Sequence, residues 1–280
     1  MPQKLYILPF DHRASFIRMF GFSEEKLTLV QTQKLADYKH VVYEGFLTAL
    51  KIGVPKKYAA ILVDEQFGAK ILEEAKEAGI TRLLPVEKSG QNEFDFEYGD
   101  SFKEHIEKFK PEYVKALVRH NPAGDQAVNA RQSAKLKILS DFCHQNKYKF
   151  LFELLGESYS NVQTMEDSIT QLQNDGIEPD IWKVEGLATQ EEMKEVVKQA
   201  QADGRKKVGV VILGRGESDI KVMEWLKVAS KITGVVGFAV GRTVFKQALL
   251  DYHQGAANRE EAVRAIAKNY KIFVDLFENV

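Results

Sequence analysis

The sequence predicts an α/β chain folded as a single-domain (β/α)8 TIM barrel spanning residues 1–280. Three observations predict it. Short apolar runs alternate with helical patterns from end to end, and such alternation implies a parallel sheet covered by helices. There are eight of these units in 280 residues, a count and length that suit a closed barrel better than an open sheet. Several runs carry polar or small residues at positions that would face inward, as the mouth of a barrel requires. No Pro/Ser-rich linker or shift in composition divides the chain.

In order, Leu5–Phe10 is an apolar strand leading into Asp11-His12-Arg13. Glu24–Leu50 has a helical pattern with Ser23 as the expected N-cap. Tyr58–Val63 is the second strand, ending at Asp64-Glu65-Gln66, and the helix Phe67–Ala78 is closed by Gly79. Thr81–Val86 is the third strand. A polar loop follows, carrying Phe94, Phe96 and Tyr98 at spacing two, a pattern expected of a loop packed on the barrel rim, and then the helix Ser101–Phe109. Tyr113–Val118 and Lys149–Leu155 are strands four and five, each followed by a helix, over 126–146 and 160–174. Strand six is Asp180–Glu185, before a helix over 190–202. Val208–Leu213 and Val235–Val240 are strands seven and eight, with a helix over 219–230 between them, and helices over 243–252 and 259–277 close the chain. The last is amphipathic through Ile266, Tyr270, Phe273, Leu276 and Phe277, a face that covers the barrel or joins subunits in a homo-oligomer.

Composition narrows the function classes. The formal net charge of -1 points to neither nucleic acid nor a membrane surface. One cysteine, Cys143, excludes an internal disulfide and a CxxC metal site, and is expected as a packed thiol. The six histidines show no metal-binding spacing, so no metal or cofactor is expected. Without a basic start, an apolar h-region or a long apolar span, a cytoplasmic location is expected.

The chemistry is expected at the C-terminal ends of the strands. In strand six, alternation puts Ile181, Lys183 and Glu185 on one face and Trp182 and Val184 on the other. A buried lysine amine either finds a partner, here Glu153 or Glu185, or loses its proton, and a neutral amine is a nucleophile toward carbonyl carbon. Lys115, similarly placed in strand four, brings a second amine to the same mouth, as a modulator of Lys183 or as a carboxylate's partner. Glu153 lies in the apolar strand Phe150–Leu155, where a raised pKa suited to proton transfer is expected. Asp11 is the second acid/base candidate. Phosphate binding is expected in the loops after strands seven and eight, which read Gly214-Arg215-Gly216 and Gly241-Arg242. Arg13 and Lys88 are further anion-binding candidates. Carboxylates at strand ends (Asp64, Glu87, Glu153, Glu185) leave open a Mg²⁺-assisted lyase, and a non-catalytic sugar-phosphate-binding barrel is a third reading.

Six stretches then carry a resemblance: Phe10-Asp11-His12-Arg13, Val86–Gly90, Val114–Leu117, Leu151–Glu153, Trp182–Glu185 and Gly237–Arg242. In this order through nearly the whole chain, they resemble class I aldolases of the tagatose-1,6-bisphosphate and sulfofructose-phosphate type. The chain looks closer still to the aldolase-like domain found fused behind 5-dehydro-2-deoxygluconokinase in inositol catabolism. The resemblance implies a Schiff base at Lys183, Glu153 as acid/base, Asp11 and Lys115 lining the site, and phosphate held by Arg242 and the Gly241 backbone. It implies a lyase releasing dihydroxyacetone phosphate from a phosphorylated ketose or keto-acid. For the inositol-pathway relatives the implied substrate is 2-deoxy-5-keto-gluconate 6-phosphate. Two loops depart from the tagatose type: Leu213-Gly214-Arg215 replaces Ser-Ala-Gly, and Asp-His-Arg replaces Asp-Gln-Arg.

Overall fold

The computed structural model describes residues 3–156 and 162–279. Eight parallel strands close into a barrel in the sequential order β1 to β8. They are β1 (Leu5–Pro9), β2 (Ala59–Leu62), β3 (Thr81–Pro85), β4 (Tyr113–Arg119), β5 (Lys149–Leu155), β6 (Ile181–Glu185), β7 (Gly209–Leu213) and β8 (Val235–Ala239). The helices alternate with them: α1 (Ala14–Met19), α2 (Leu29–Lys51), α3 (Glu65–Glu77), α4 (Phe102–Phe109), α5 (Gln126–Gln145), α6 (Val162–Asn174), α7 (Gln190–Ala200), α8 (Asp219–Ala229), α9 (Arg242–Gln254) and α10 (Arg259–Glu278).

Alternation along the strands sorts the side chains into two cores. Leu5, Ile7, Ala60, Leu62, Leu83, Leu151, Ile181 and Val211 fill the inside of the barrel. Outward-facing residues, among them Trp182 and Val184, pack under the helices. The apolar plug occupies the lower part of the barrel. Above it the inward positions turn polar: Lys115 follows Tyr113 on β4, Glu153 follows Leu151 on β5, and Lys183 follows Ile181 on β6. The register makes Glu153 and Lys183 direct cross-strand neighbours and sets Leu117, two residues past Lys115, opposite Glu153. Three polar side chains on adjacent strands therefore meet on one inner wall.

The long helix near the N-terminus starts later than its pattern suggested. Ser23 caps nothing and precedes only the short turn Glu24–Lys26. The helix begins at Leu29 behind a capping box, in which Thr28 accepts from the Gln31 backbone and Gln31 accepts from that of Thr28. The two reciprocal bonds outweigh a lone serine. The short α1, directly behind Asp-His-Arg, was not anticipated. Gly79 closes α3 in the left-handed region, φ 60°, as expected. Ser160, the expected start of α6, lies outside the described residues.

Phe94 and Phe96 are buried on the rim, with Phe96 stacked on Phe102 at 3.9 Å between ring centres. α10 covers the barrel: its face packs on α2 and α9, and the Tyr270 hydroxyl donates to the Tyr6 carbonyl oxygen at 2.7 Å. Cys143 is buried, and burial pushes its thiol up to about 12. Among the described residues no helix is long and apolar enough to cross a membrane.

Candidate active site

A cavity of about 460 Å³ opens at the C-terminal ends of the strands. Lys183 lies at its floor, buried, with Nζ 2.9 Å from Glu153 Oε1. The amine has found its partner, and of the two carboxylates considered it is Glu153. Glu185 instead accepts a hydrogen bond from the Arg215 guanidinium.

Lys115 is the hub of the floor. Its ammonium lies 2.9 Å from Asp11 Oδ2, 2.5 Å from Glu87 Oε1 and 3.0 Å from Glu153 Oε2. Glu153 thus spends one oxygen on each lysine. Burial opposes every one of these charges, and the arrangement decides which survive. Against burial, Asp11, Glu153 and Glu87 together hold the Lys115 amine well above the usual lysine range. Burial works to raise the Asp11 carboxyl, but Lys115, His12 and Lys183 hold it below the usual range. Glu153 is lowered too, because the attraction of Lys115 and Lys183 outweighs burial. That corrects the raised pKa expected from its apolar strand, since the strand sequence does not reveal that two ammonium groups flank the carboxylate. The raised carboxyl is Glu87, for which burial prevails over Lys115 and Arg13. Its second oxygen is buried without a hydrogen-bond partner among the described residues. In the sequence Glu87 stands at the end of the third strand as a metal-ligand candidate and not as part of the proton machinery. Only the closed barrel brings it against Lys115.

Of the carboxylates considered for Mg²⁺, Asp64 points elsewhere, forming a buried pair with Lys39 and capping α3 at the Phe67 N–H, 3.0 Å away. Asp11, Glu87 and Glu153 converge, but the Lys115 ammonium fills the space between them.

The next strands round the barrel, β7 and β8, lead into the two Gly-Arg turns. Gly241 precedes α9, and a Cβ there would stand 2.0 Å from the Pro9 carbonyl oxygen, so only glycine lets this turn pass over the end of β1. The Val244 and Phe245 N–H groups of α9 donate to the Gly241 carbonyl oxygen, and the N-terminus of the helix, at Arg242 and Thr243, lines the cavity. Arg242 Nη2 donates to the Arg215 carbonyl oxygen at 2.9 Å. At Gly216, with φ 84°, a Cβ would stand 2.5 Å from that guanidinium. Gly214 lines the cavity, and Arg215 lines it while bonded to Glu185 and, at 3.0 Å, to the Gly156 carbonyl oxygen. Arg13 is buried and lines the cavity: it donates to Glu97 Oε2 at 2.6 Å and to the Glu87 carbonyl oxygen at 2.5 Å, which ties down the loop after β3, while its Nε has no hydrogen-bond partner among the described residues. Lys88 is exposed on the rim, as are Arg18 and Arg119.

Residues 1–280 match the family described as "Uncharacterized protein conserved in bacteria (DUF2090)". No curated protein matches the chain. Among solved structures, an archaeal fructose 1,6-bisphosphate aldolase is similar with a TM-score of 0.63 and 14% identity, over 99% of this chain and 94% of that one. Cgl0159 from Corynebacterium glutamicum (Brevibacterium flavum) is similar with a TM-score of 0.60 and 15% identity, over 96% of this chain and 86% of that one. At these identities the likeness is one of fold, a closed eight-stranded (β/α)8 barrel.

Proposed function

For this chain, which belongs to the DUF2090 family and closes into an aldolase-like barrel, we propose a class I, Schiff-base aldolase acting on a phosphorylated ketose or keto-acid. The observation that carries the reading is Lys183 on the cavity floor, 2.9 Å from a carboxylate that is itself 3.0 Å from a second buried ammonium. Glu153 accepts a proton from the Lys183 ammonium and frees the lone pair for attack on the substrate carbonyl. The proton returns to the carbinolamine hydroxyl, which leaves as water and gives the iminium. The iminium accepts the electron pair of the breaking C–C bond while a carboxylate, Glu153 or Asp11, removes the proton of the cleaved alcohol. Lys115 holds both carboxylates in place. The phosphate is received at the Gly241-Arg242 turn, where a helix N-terminus and a guanidinium suit an oxyanion.

The product on this reading is dihydroxyacetone phosphate with an aldehyde. The resemblance to inositol-pathway domains makes 2-deoxy-5-keto-gluconate 6-phosphate the first substrate to assay. The test of the reaction class is borohydride reduction in the presence of dihydroxyacetone phosphate. A covalent adduct is expected at Lys183 and none in Lys183→Ala. Turnover that needs added Mg²⁺, without trapping at any lysine, would sink the proposal.

A further inference from the structure

His12 is a cavity residue that the scheme above does not use. It follows Asp11 at the end of β1 and lines the cavity. Its backbone is held from below by a buried pair separate from the Lys115 cluster: the Lys39 amine, paired with Asp64, donates to the His12 carbonyl oxygen at 3.0 Å. The ring stands edge-on to Phe245 in the first turn of α9, 6.3 Å between centres and 69° between planes. The side chain is thus fixed between the Lys183 floor and the helix that begins at Arg242.

Among the described residues no side chain or backbone group hydrogen-bonds its ring. Nδ1 is buried without a hydrogen-bond partner among the described residues, and the half-buried ring keeps its remaining exposure toward the cavity. A buried ring nitrogen left unpaired is costly, and such a group calls for an explanation. The charges that bear on it are Asp11 on its own loop, Arg242 of α9, Lys183 of β6 and Lys39 of α2. Burial first, then the three cations against Asp11, lower it to about 4. At pH 7 the imidazole is therefore neutral, with one donor and one acceptor, amid an excess of positive charge.

We propose that His12 is a ligand-contacting residue, hydrogen-bonding an oxygen at the phosphoryl-bearing end of the ligand, between Lys183 and Arg242. This rests on the phosphate-binding part of the reading above. A phosphate dianion placed there meets the part of the ring that the cavity exposes, away from the buried Nδ1, and offsets the surrounding cations. It therefore draws the ring toward its protonated form, so ligand binding and proton uptake are linked.

The test follows the ring carbon–proton NMR signals of the six histidines, with His12 assigned by its loss in His12→Gln. Inorganic phosphate is added first, then dihydroxyacetone phosphate. The His12 signal is expected to shift with both, and its titration midpoint to rise by about one unit or more in the liganded protein. His12→Gln is expected to weaken phosphate binding about tenfold or more. Binding with the His12 signal and its midpoint unmoved overturns the inference, and so does the absence of binding by either compound. Borohydride trapping at Lys183 is scored separately. A shifted His12 with no adduct keeps the inference and ends the aldolase reading; an adduct with His12 unmoved does the reverse.

Discussion

Replacing Lys115 with Met tests the charge logic of the floor most directly. The ammonium touches three carboxylates, and its side chain is 2% exposed. Its loss leaves Asp11, Glu87 and Glu153 buried, with Lys183 bonded to Glu153 alone and Arg13 acting on Glu87. Breaking a buried ion pair by removing one partner costs about 3–5 kcal/mol. At roughly 2–4 °C per kcal/mol for a domain of this size, that corresponds to about 10 °C in Tm near pH 7. The sign of the pH dependence follows from the carboxyls. In the intact protein Asp11 and Glu153 are lowered, so their stabilisation is present above the unfolded carboxyl range, near pH 4, and is lost as pH falls through their folded values. Without Lys115 the same groups become buried acids with raised values. They favour the folded state at low pH and oppose it as pH rises. The deficit of Lys115→Met should therefore be largest at pH 7–8 and shrink toward pH 5. The assay is urea unfolding of both proteins across that range. A deficit below about 1 kcal/mol, or one independent of pH, would refute the account of the hub.

Four further outcomes are expected. Lys183→Arg keeps a cation beside Glu153 and should fold normally, yet show no borohydride adduct and only background turnover, read by mass and by product assay. Arg242→Ala removes a charged fork from the phosphate turn and should raise KM by about tenfold to a hundredfold with a smaller change in kcat; an unchanged KM would place the phosphate elsewhere. Glu87→Gln imitates the protonated form of a carboxyl raised by burial, so it should match the parent at acidic pH and exceed it in Tm at pH 8; lower Tm throughout would mean that Glu87 is ionised. Asp64→Asn leaves the fully buried Lys39 amine without its carboxylate and should cost about 3–5 kcal/mol in unfolding experiments, with recovery in Lys39→Met/Asp64→Leu.

The barrel was legible because its signals are local and repeated. Lys149–Leu155 and Gly79 announce themselves by apolar runs and a breaker, and alternation alone put Lys183 inside and Trp182 outside. The meeting of Lys183, Lys115 and Glu153 followed from applying one rule to three strands. Other features depend on contacts far apart in sequence. Glu153 is lowered rather than raised because Lys115, 38 residues earlier, and Lys183, 30 residues later, flank it. The pairing of Arg13 with Glu97 was hidden because the two are 84 residues apart and meet only when the loop after β3 folds back across the rim. Glu87 and His12 sat at strand ends already marked as chemical ground. What the sequence withheld was the unpartnered atom on each, a property only the closed barrel defines.

On the Schiff-base reading, the balance of charge bears on rate. Before reaction the floor sets Asp11, Glu87 and Glu153 against the Lys115 and Lys183 ammonium groups. Three carboxyl groups face two cations, and burial makes Glu87, raised where Asp11 and Glu153 are lowered, the first of the three to take up a proton. Iminium formation replaces one positive nitrogen on Lys183 by another, with a molecule of water released and no net change in proton count at the floor. Glu153 faces the same sign of charge at the start and at the end, and only the neutral amine and carbinolamine between them differ. The polar frame therefore need not reorganise to accommodate the cationic intermediate, the condition under which fixed charges contribute most to catalysis. The same frame explains why a neutral replacement at Lys115 should damage turnover as well as stability. Glu153 would then keep the proton it takes from Lys183 instead of passing it on to the departing hydroxyl.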